Sequence, residues 1–223
     1  MEFKIEHSPV FTTLTVKMAA GDQIKAEAGA MVSMSPSIEL QAKASGKGLL
    51  GTIAAAVGGE ALFGSLFTAR QAGELVLAPS VPGDVVHLKL KGETLFAQGG
   101  AYLAGATSLE LSTQGSLRGM IGGEGLFLSK ITGTGDLFLN CYGAIVEKTL
   151  ADGEVYIVDA GHIVAFQDTV QYRIKKAAAG LFSTLASGEG LVAEYTGPGT
   201  IWMQTRNLKA FAGLLAPFMQ RNG

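Results

Sequence analysis

Apolar and polar residues alternate over short stretches along much of this chain, and glycines punctuate them. In Thr107-Ser108-Leu109-Glu110-Leu111-Ser112 the two leucines stand two residues apart, the spacing that puts side chains on one face of a strand. Glu154 to Ile157 mixes β-branched and aromatic residues, as strands prefer. Ile38 to Ala42 reads as another strand, and the apolar triplets Leu75-Val76-Leu77, Leu137-Phe138-Leu139 and Ile201-Trp202-Met203 each follow a short glycine turn. Strand-length runs between closely spaced turn signals predict a sandwich or barrel. The Gly/Ala-rich stretches Gly48 to Gly58, Gly115 to Gly122 and Ala177 to Ser187, read as short helices or loops, and the tail depart from this pattern. Leu208, Phe211, Leu214, Leu215 and Phe218 fall at helical spacing, so a short C-terminal helix is predicted, weakened by Gly213 and Pro217.

The strand pattern occurs three times. Gly21 to Val32, Gly92 to Leu103 and Gly153 to Val164 each carry a Gly-acid pair, then a small-Gly pair at the same offset, then an apolar residue. A second element alternates with the first: Gly59-Glu60-Ala61-Leu62-Phe63, Gly123-Glu124-Gly125-Leu126-Phe127 and Gly188-Glu189-Gly190-Leu191-Val192, followed by Thr68, Thr132 and Thr196. Glycine suits such turns because it takes positive φ without steric cost. One such unit of about 60 residues barely supports its own core. The expectation is therefore an all-β fold of three tandem β-sandwich-like repeats with pseudo-threefold symmetry. It forms a single domain over 1–223, with repeats of approximately 1–80, 81–145 and 146–210 and a tail over 208–223.

Composition narrows the class. There are 31 glycines in 223 residues, about twice the usual share of roughly 7%. With 48% hydrophobic and 16% charged residues, the chain lacks the low hydrophobicity and high net charge of disorder. Glycine on this scale disfavours long helices, and without a three-residue period it is not collagen. Cys141 is the single cysteine, so no internal disulfide forms. The start Met1-Glu2-Phe3-Lys4-Ile5-Glu6 lacks a basic-then-apolar signal plan. No uncharged run reaches the roughly 20 residues of a membrane span. A cytoplasmic location is the expectation.

The repeated Gly-Glu-x-Leu-Phe element and the Val155 to Phe166 stretch resemble the family related to the mitochondrial biogenesis protein called altered inheritance of mitochondria 24. The resemblance covers nearly the whole chain. It implies a fold similar to the tryptophan RNA-binding attenuation protein, with β-sandwich modules around a threefold axis, and it implies oligomerisation. It brings no catalytic residues.

Candidate chemistry is sparse. Gly46-Lys47-Gly48-Leu49-Leu50-Gly51 matches G-x-G-x-x-G, with Glu74 at a plausible distance, but a dinucleotide site needs a βαβ unit and the surroundings read as β. Glu60, Glu124 and Glu189 occupy matching places. They are read as a structural motif in which each carboxylate accepts backbone N–H bonds in a turn; the alternative is a shared hard-cation site. His7, His87 and His162 lack metal-binding spacing, and Cys141 reads as a small hydrophobe at a strand end rather than a nucleophile paired with His162. Trp202 reads as core. Arg173, Lys175 and Lys176 form too small a basic group for nucleic acid, at a net charge of −2, so nucleic acid is not an expected partner. No cofactor is expected.

Three Gly/Ala-rich apolar stretches are the stronger surface candidates. They carry Leu49, Leu50 and Ile53; Leu117, Met120 and Ile121; and Leu181, Phe182 and Leu185. Gathered at one end, they make an apolar patch of the kind that meets a partner or a membrane; folded inward, they make core lids or subunit contacts. The function expected is a non-enzymatic scaffold that self-associates and binds a protein or membrane surface. The alternatives are an RNA-binding module, through fold resemblance, and a small-molecule or metal-binding module.

Overall fold

A computed structural model describes residues 1–42, 64–114, 128–176 and 191–219. Among the described residues the chain is nearly all β, in antiparallel sheets, with one short helix near the C-terminus. The first sheet runs β1 (Glu2–Glu6), β2 (Thr13–Met18), β7 (Gly73–Leu77), β4 (Met31–Met34). The second runs β5 (Ile38–Ala42), β6 (Ser65–Ala69), β3 (Gln23–Ala26), β10 (Tyr102–Ala106), β13 (Thr134–Asn140), β8 (Val85–Lys91). The third runs β11 (Glu110–Gln114), β12 (Leu128–Thr132), β9 (Leu95–Gln98), β16 (Ile163–Gln167), β19 (Gly199–Gln204), β14 (Ile145–Leu150). The fourth runs β15 (Val155–Asp159), β18 (Leu191–Thr196), β17 (Gln171–Lys176). Helix α1 spans Leu208–Met219.

Side-chain alternation explains these strands. In β2, Leu14, Val16 and Met18 point inward while Thr13, Thr15 and Lys17 do not; β7 does the same with Leu75 and Leu77. β10 and β16 are different. Tyr102 to Gly105 and Ile163 to Phe166 are buried at every successive residue, which is what a strand covered on both faces looks like. Gly21, Gly92 and Gly153 open the turns before β3, β9 and β15 with φ of 88°, 107° and 69°, a region that side chains rarely enter.

The second and third sheets are each stitched together by one pairing. β10 lies on β3 with Ala104 opposite Ala26 and Gly105 opposite Lys25. β16 lies on β9 with Ala165 opposite Ala97 and Phe166 opposite Phe96. On their other sides, β10 and β16 carry a register shift against β13 and β19, between Tyr102 and Ala104 and between Ile163 and Ala165. β4 carries one against β7, between Met31 and Ser33. Such a bulge bends the strand and increases its twist.

Among the described residues the core forms three clusters. One gathers Leu14, Val16, Ile24, Leu75, Leu77 and Phe138. A second gathers Leu95, Tyr102, Leu109, Ile131, Leu137 and Trp202, with Leu111 packed against it. The third gathers Val158, Ile163, Phe166, Tyr195 and Ile201. Leu109 and Leu111 therefore meet the same cluster, as their spacing predicts. Trp202 is buried as expected, with its indole N–H donating to Glu147 Oε2 at 2.9 Å.

Candidate interaction surface

Among the described residues four sheets present eight edge strands. Natural edges are guarded against further pairing by charge, proline or cover. β1 has Glu2, Lys4 and Glu6; β5 has Glu39; β8 has Lys89 and Lys91; β11 has Glu110; β14 has Glu147 and Lys148; β17 has Arg173 and Lys175. β4 reads Met-Val-Ser-Met and carries no charge. β15 reads Val-Tyr-Ile-Val-Asp, with its single charge at the last position. There the Asp159 carboxylate turns back to accept the Gly161 N–H at 2.9 Å.

Both strands expose apolar side chains. Val32 is 59% exposed and Ile157 60%, and Met31, Met34, Val155 and Tyr156 are exposed with them. By contrast Leu103 and Val164, at the bulges of β10 and β16, are 0% and 1% exposed. The sequences are alike; the difference is that β10 and β16 have a neighbour on each side, whereas β4 and β15 have one.

Helix α1 begins next to the C-terminal end of β15. Asn207 caps it, its Oδ1 accepting the Ala210 N–H at 3.1 Å, and the Asn207 carboxamide reaches Asp159 Oδ1 at 3.5 Å. The spacing of apolar residues marks this helix correctly, but no residue of it is buried. Leu214, Phe218 and Met219 face solvent, and Phe211 meets Tyr142 at 5.9 Å between ring centroids. Among the described residues no helix is long and apolar enough to cross a membrane.

Sequence-derived candidates fall in several places. Leu49, Leu50, Ile53, Leu117, Met120, Ile121, Leu181, Phe182 and Leu185 lie outside the described residues, as do Glu60, Glu124, Glu189 and the Gly46–Gly51 motif. Glu74 sits on β7, its backbone N–H donating to Ser35 Oγ. His87 bonds Asp136 at 2.8 Å and stacks on Phe138. His162 Nδ1 lies 2.7 Å from the Gln204 carbonyl. Cys141 is buried just past β13, its thiol donating to the Gly143 carbonyl and pushed up to about 11 by burial. Cys141 and His162 each engage a backbone carbonyl rather than one another. No group of three metal-ligating side chains occurs among the described residues.

Arg173 and Lys175 share one face, as alternation requires, but both converge on Glu194 at 2.5 Å. Lys175 and Arg173 hold the Glu194 carboxyl below its usual range. This basic group is thus tied to an acid in its own sheet.

The exposed edges escaped the sequence reading, although one signal was present. Met31 to Met34 and Val155 to Ile157 are apolar, charge-free strand segments near the two ends of a tandem pattern, and the end strands of such a pattern have no further copy to pair with.

Glu27 marks the inner β3–β10 junction, where its N–H donates to the Leu103 carbonyl at 2.9 Å. Burial raises its carboxyl from 4.5 to about 7. The folded chain holds this proton more tightly than the unfolded chain, so stability from this group is complete below pH 4.5 and declines as pH rises to about 7. Gln98 stands at the matching place in the second copy of the pattern. Glu27→Gln is expected to stabilise the fold at pH 8 by about 1–2 kcal/mol, after allowance for partial exposure, and to leave it unchanged at pH 4.5. Urea unfolding at the two pH values checks this; equal effects at both contradict it.

Four antiparallel sheets among the described residues, with apolar edge strands and one apolar helix, define an all-β class. The chain belongs to the mitochondrial biogenesis AIM24 family, whose sequence profile matches residues 3–206. It is 32% identical over 228 residues to an uncharacterized protein of Streptococcus pyogenes serotype M6, spanning 98% of this chain and 91% of that one. Its fold superposes with a TM-score of 0.81 on the crystal structure of a Streptococcus pyogenes protein, 32% identical, covering 97% of this chain and 99% of that chain.

Proposed function

We propose that this protein is a non-enzymatic β scaffold that self-associates and uses apolar surface to engage a protein or membrane surface. The observation that carries the reading is the pair of apolar edges, β4 without a charge and β15 with its one charge at the terminal Asp159, on which Val32 and Ile157 are about three-fifths exposed. Exposed apolar surface on a stable fold marks an interaction site, and helix α1, which begins next to Asp159, adds the exposed Leu214, Phe218 and Met219.

The scaffold is read as one domain of three modules, approximately 1–80, 81–145 and 146–210, with a pseudo-threefold repetition left open between β4 and β15 of one chain, and the tail over 208–223. Two strand orders, each occurring three times, support this reading. β2–β7–β4, β8–β13–β10 and β14–β19–β16 repeat one arrangement, and β5–β6–β3, β11–β12–β9 and β17–β18–β15 repeat another. The bulges at Val32, Leu103 and Val164 fall at one place in the recurring sequence element.

Sedimentation velocity over a concentration series tests the reading. The unmodified chain is expected to exceed its 23.1 kDa single-chain mass and to shift upward with concentration. Ile157→Lys places a charge on β15 and is expected to return the mass toward that of one chain. Because Ile157 is exposed in the single chain, the unfolding free energy should stay within about 0.5 kcal/mol when measured at low concentration. A mass fixed at one chain over the whole series, with and without phosphatidylcholine–phosphatidylglycerol vesicles, contradicts the reading.

A further inference from the structure

We infer that β4 of one copy pairs antiparallel with β15 of the next, with Ser33 opposite Val158 and Met34 opposite Ile157, so that copies join head to tail by continuing a sheet. The inference rests on the self-association proposed above and names its surface.

The register comes from two junctions inside the chain. At the first, Ala104 and Gly105 of β10 face Ala26 and Lys25 of β3. At the second, Ala165 and Phe166 of β16 face Ala97 and Phe96 of β9. The recurring sequence element aligns Ala104 and Ala165 with Ser33, and Ala26 and Ala97 with Val158. The acceptors are already shaped alike: Ala26, Ala97 and Val158 are 0%, 1% and 5% exposed. Their partners differ, since Ala104 and Ala165 are buried but Ser33 is exposed. One half of the junction is formed on β15 and the other half on β4, and neither is paired with the other within the chain.

Chemistry agrees with the geometry. A strand edge offers a row of free N–H and C=O groups that another strand satisfies. Neither facing segment brings a charge into the junction, apart from Asp159, whose carboxylate is engaged by the Gly161 N–H. The Glu27 N–H to Leu103 carbonyl bond of the inner junction has its counterpart in a bond from the Asp159 N–H to the Val32 carbonyl of the neighbour. Because the two edges differ, the contact is heterologous, and it closes into a ring or runs on as a filament.

Cysteine pairing reads this register. Antiparallel partners stand about 4.5–5.5 Å apart at Cα, within the roughly 4.4–6.8 Å range a disulfide spans, and the native Cys141 is buried. Met34→Cys and Ile157→Cys proteins are mixed and oxidised mildly, with a short bismaleimide as a second cross-linker. The mixture is expected to give a two-chain product joined at positions 34 and 157, and neither variant alone should give one. Met34→Cys cross-linking to itself overturns the pairing, because it shows like edges meeting. So does a single-chain bridge in the Met34→Cys/Ile157→Cys double variant, which shows the edges closing on one another. No cross-link with either reagent, while sedimentation still shows assembly, overturns the pairing and leaves self-association standing; no assembly at all removes both.

Discussion

Gly83→Ala is expected to lower stability by about 4 kcal/mol or more, a large part of the 5–15 kcal/mol that holds a typical domain together. A Cβ at this position runs into the Cys141 carbonyl oxygen. That oxygen belongs to the backbone, so no rotamer change relieves the clash and the two segments must part. Gly83 lies between Phe11 and Gly143 in two parallel bridges. Its carbonyl accepts the Thr12 N–H at 3.2 Å, while Cys141 N–H donates to Asp84 and Gly143 N–H to Pro82 at 3.1 and 3.0 Å. Separation strains or breaks these three bonds, each worth about 1 kcal/mol net and more when its groups are left buried and unpaired. A fall in the urea midpoint with unchanged slope is the expected result. A loss below about 1 kcal/mol contradicts the packing described here.

Phe166→Ala is expected to cost about 3–5 kcal/mol. Phe166 is fully buried on β16, the strand that pairs with β9 on one side and β19 on the other. Its ring packs against Phe96, Tyr172 and Tyr195 at centroid distances of 5.4, 4.9 and 5.3 Å. Removing it leaves a cavity among three aromatic rings fixed by three different strands, β9, β17 and β18, which cannot collapse onto the gap without moving the β9–β16 junction. Val155→Ala on the exposed edge is the comparison, with an expected change within about 0.5 kcal/mol at concentrations where single chains prevail. Similar losses for the two variants contradict the assigned core.

Local features of this fold are legible in the sequence because local physics sets them. Gly21, Gly92 and Gly153 mark turns that only glycine enters easily, and the apolar triplets that follow glycine turns are strands β7, β13 and β19. The alternation of Leu14, Val16 and Met18 marks β2. Neighbours in a sheet are another matter. Leu14 pairs with Leu77, and Ala26 with Ala104, through contacts between distant segments that no local period encodes. The exposed edges illustrate the limit. Met31–Met34 has the same apolar character as the buried Tyr102–Gly105 stretch, and only the presence or absence of a further strand separates an interior position from a surface one. Helix α1 shows the same limit: the spacing of Leu208, Phe211, Leu214, Leu215 and Phe218 marks a helix but does not say what covers it. Likewise, the small basic group at Arg173 and Lys175 is legible as residues sharing a face, but its pairing with Glu194 depends on the β17–β18 register. The apolar loop residues and the three matching glutamates lie outside the described residues.

Hydrogen exchange on the unmodified chain tests self-association through its edges most directly. At high concentration, the outward amides of Met31–Met34 and Val155–Asp159 are expected to be protected like those of the inner β9–β16 junction, and to lose that protection on dilution while the core of β13 and β19 keeps its own. Rapid exchange at both edges at every concentration, as for a strand facing water, contradicts the claim.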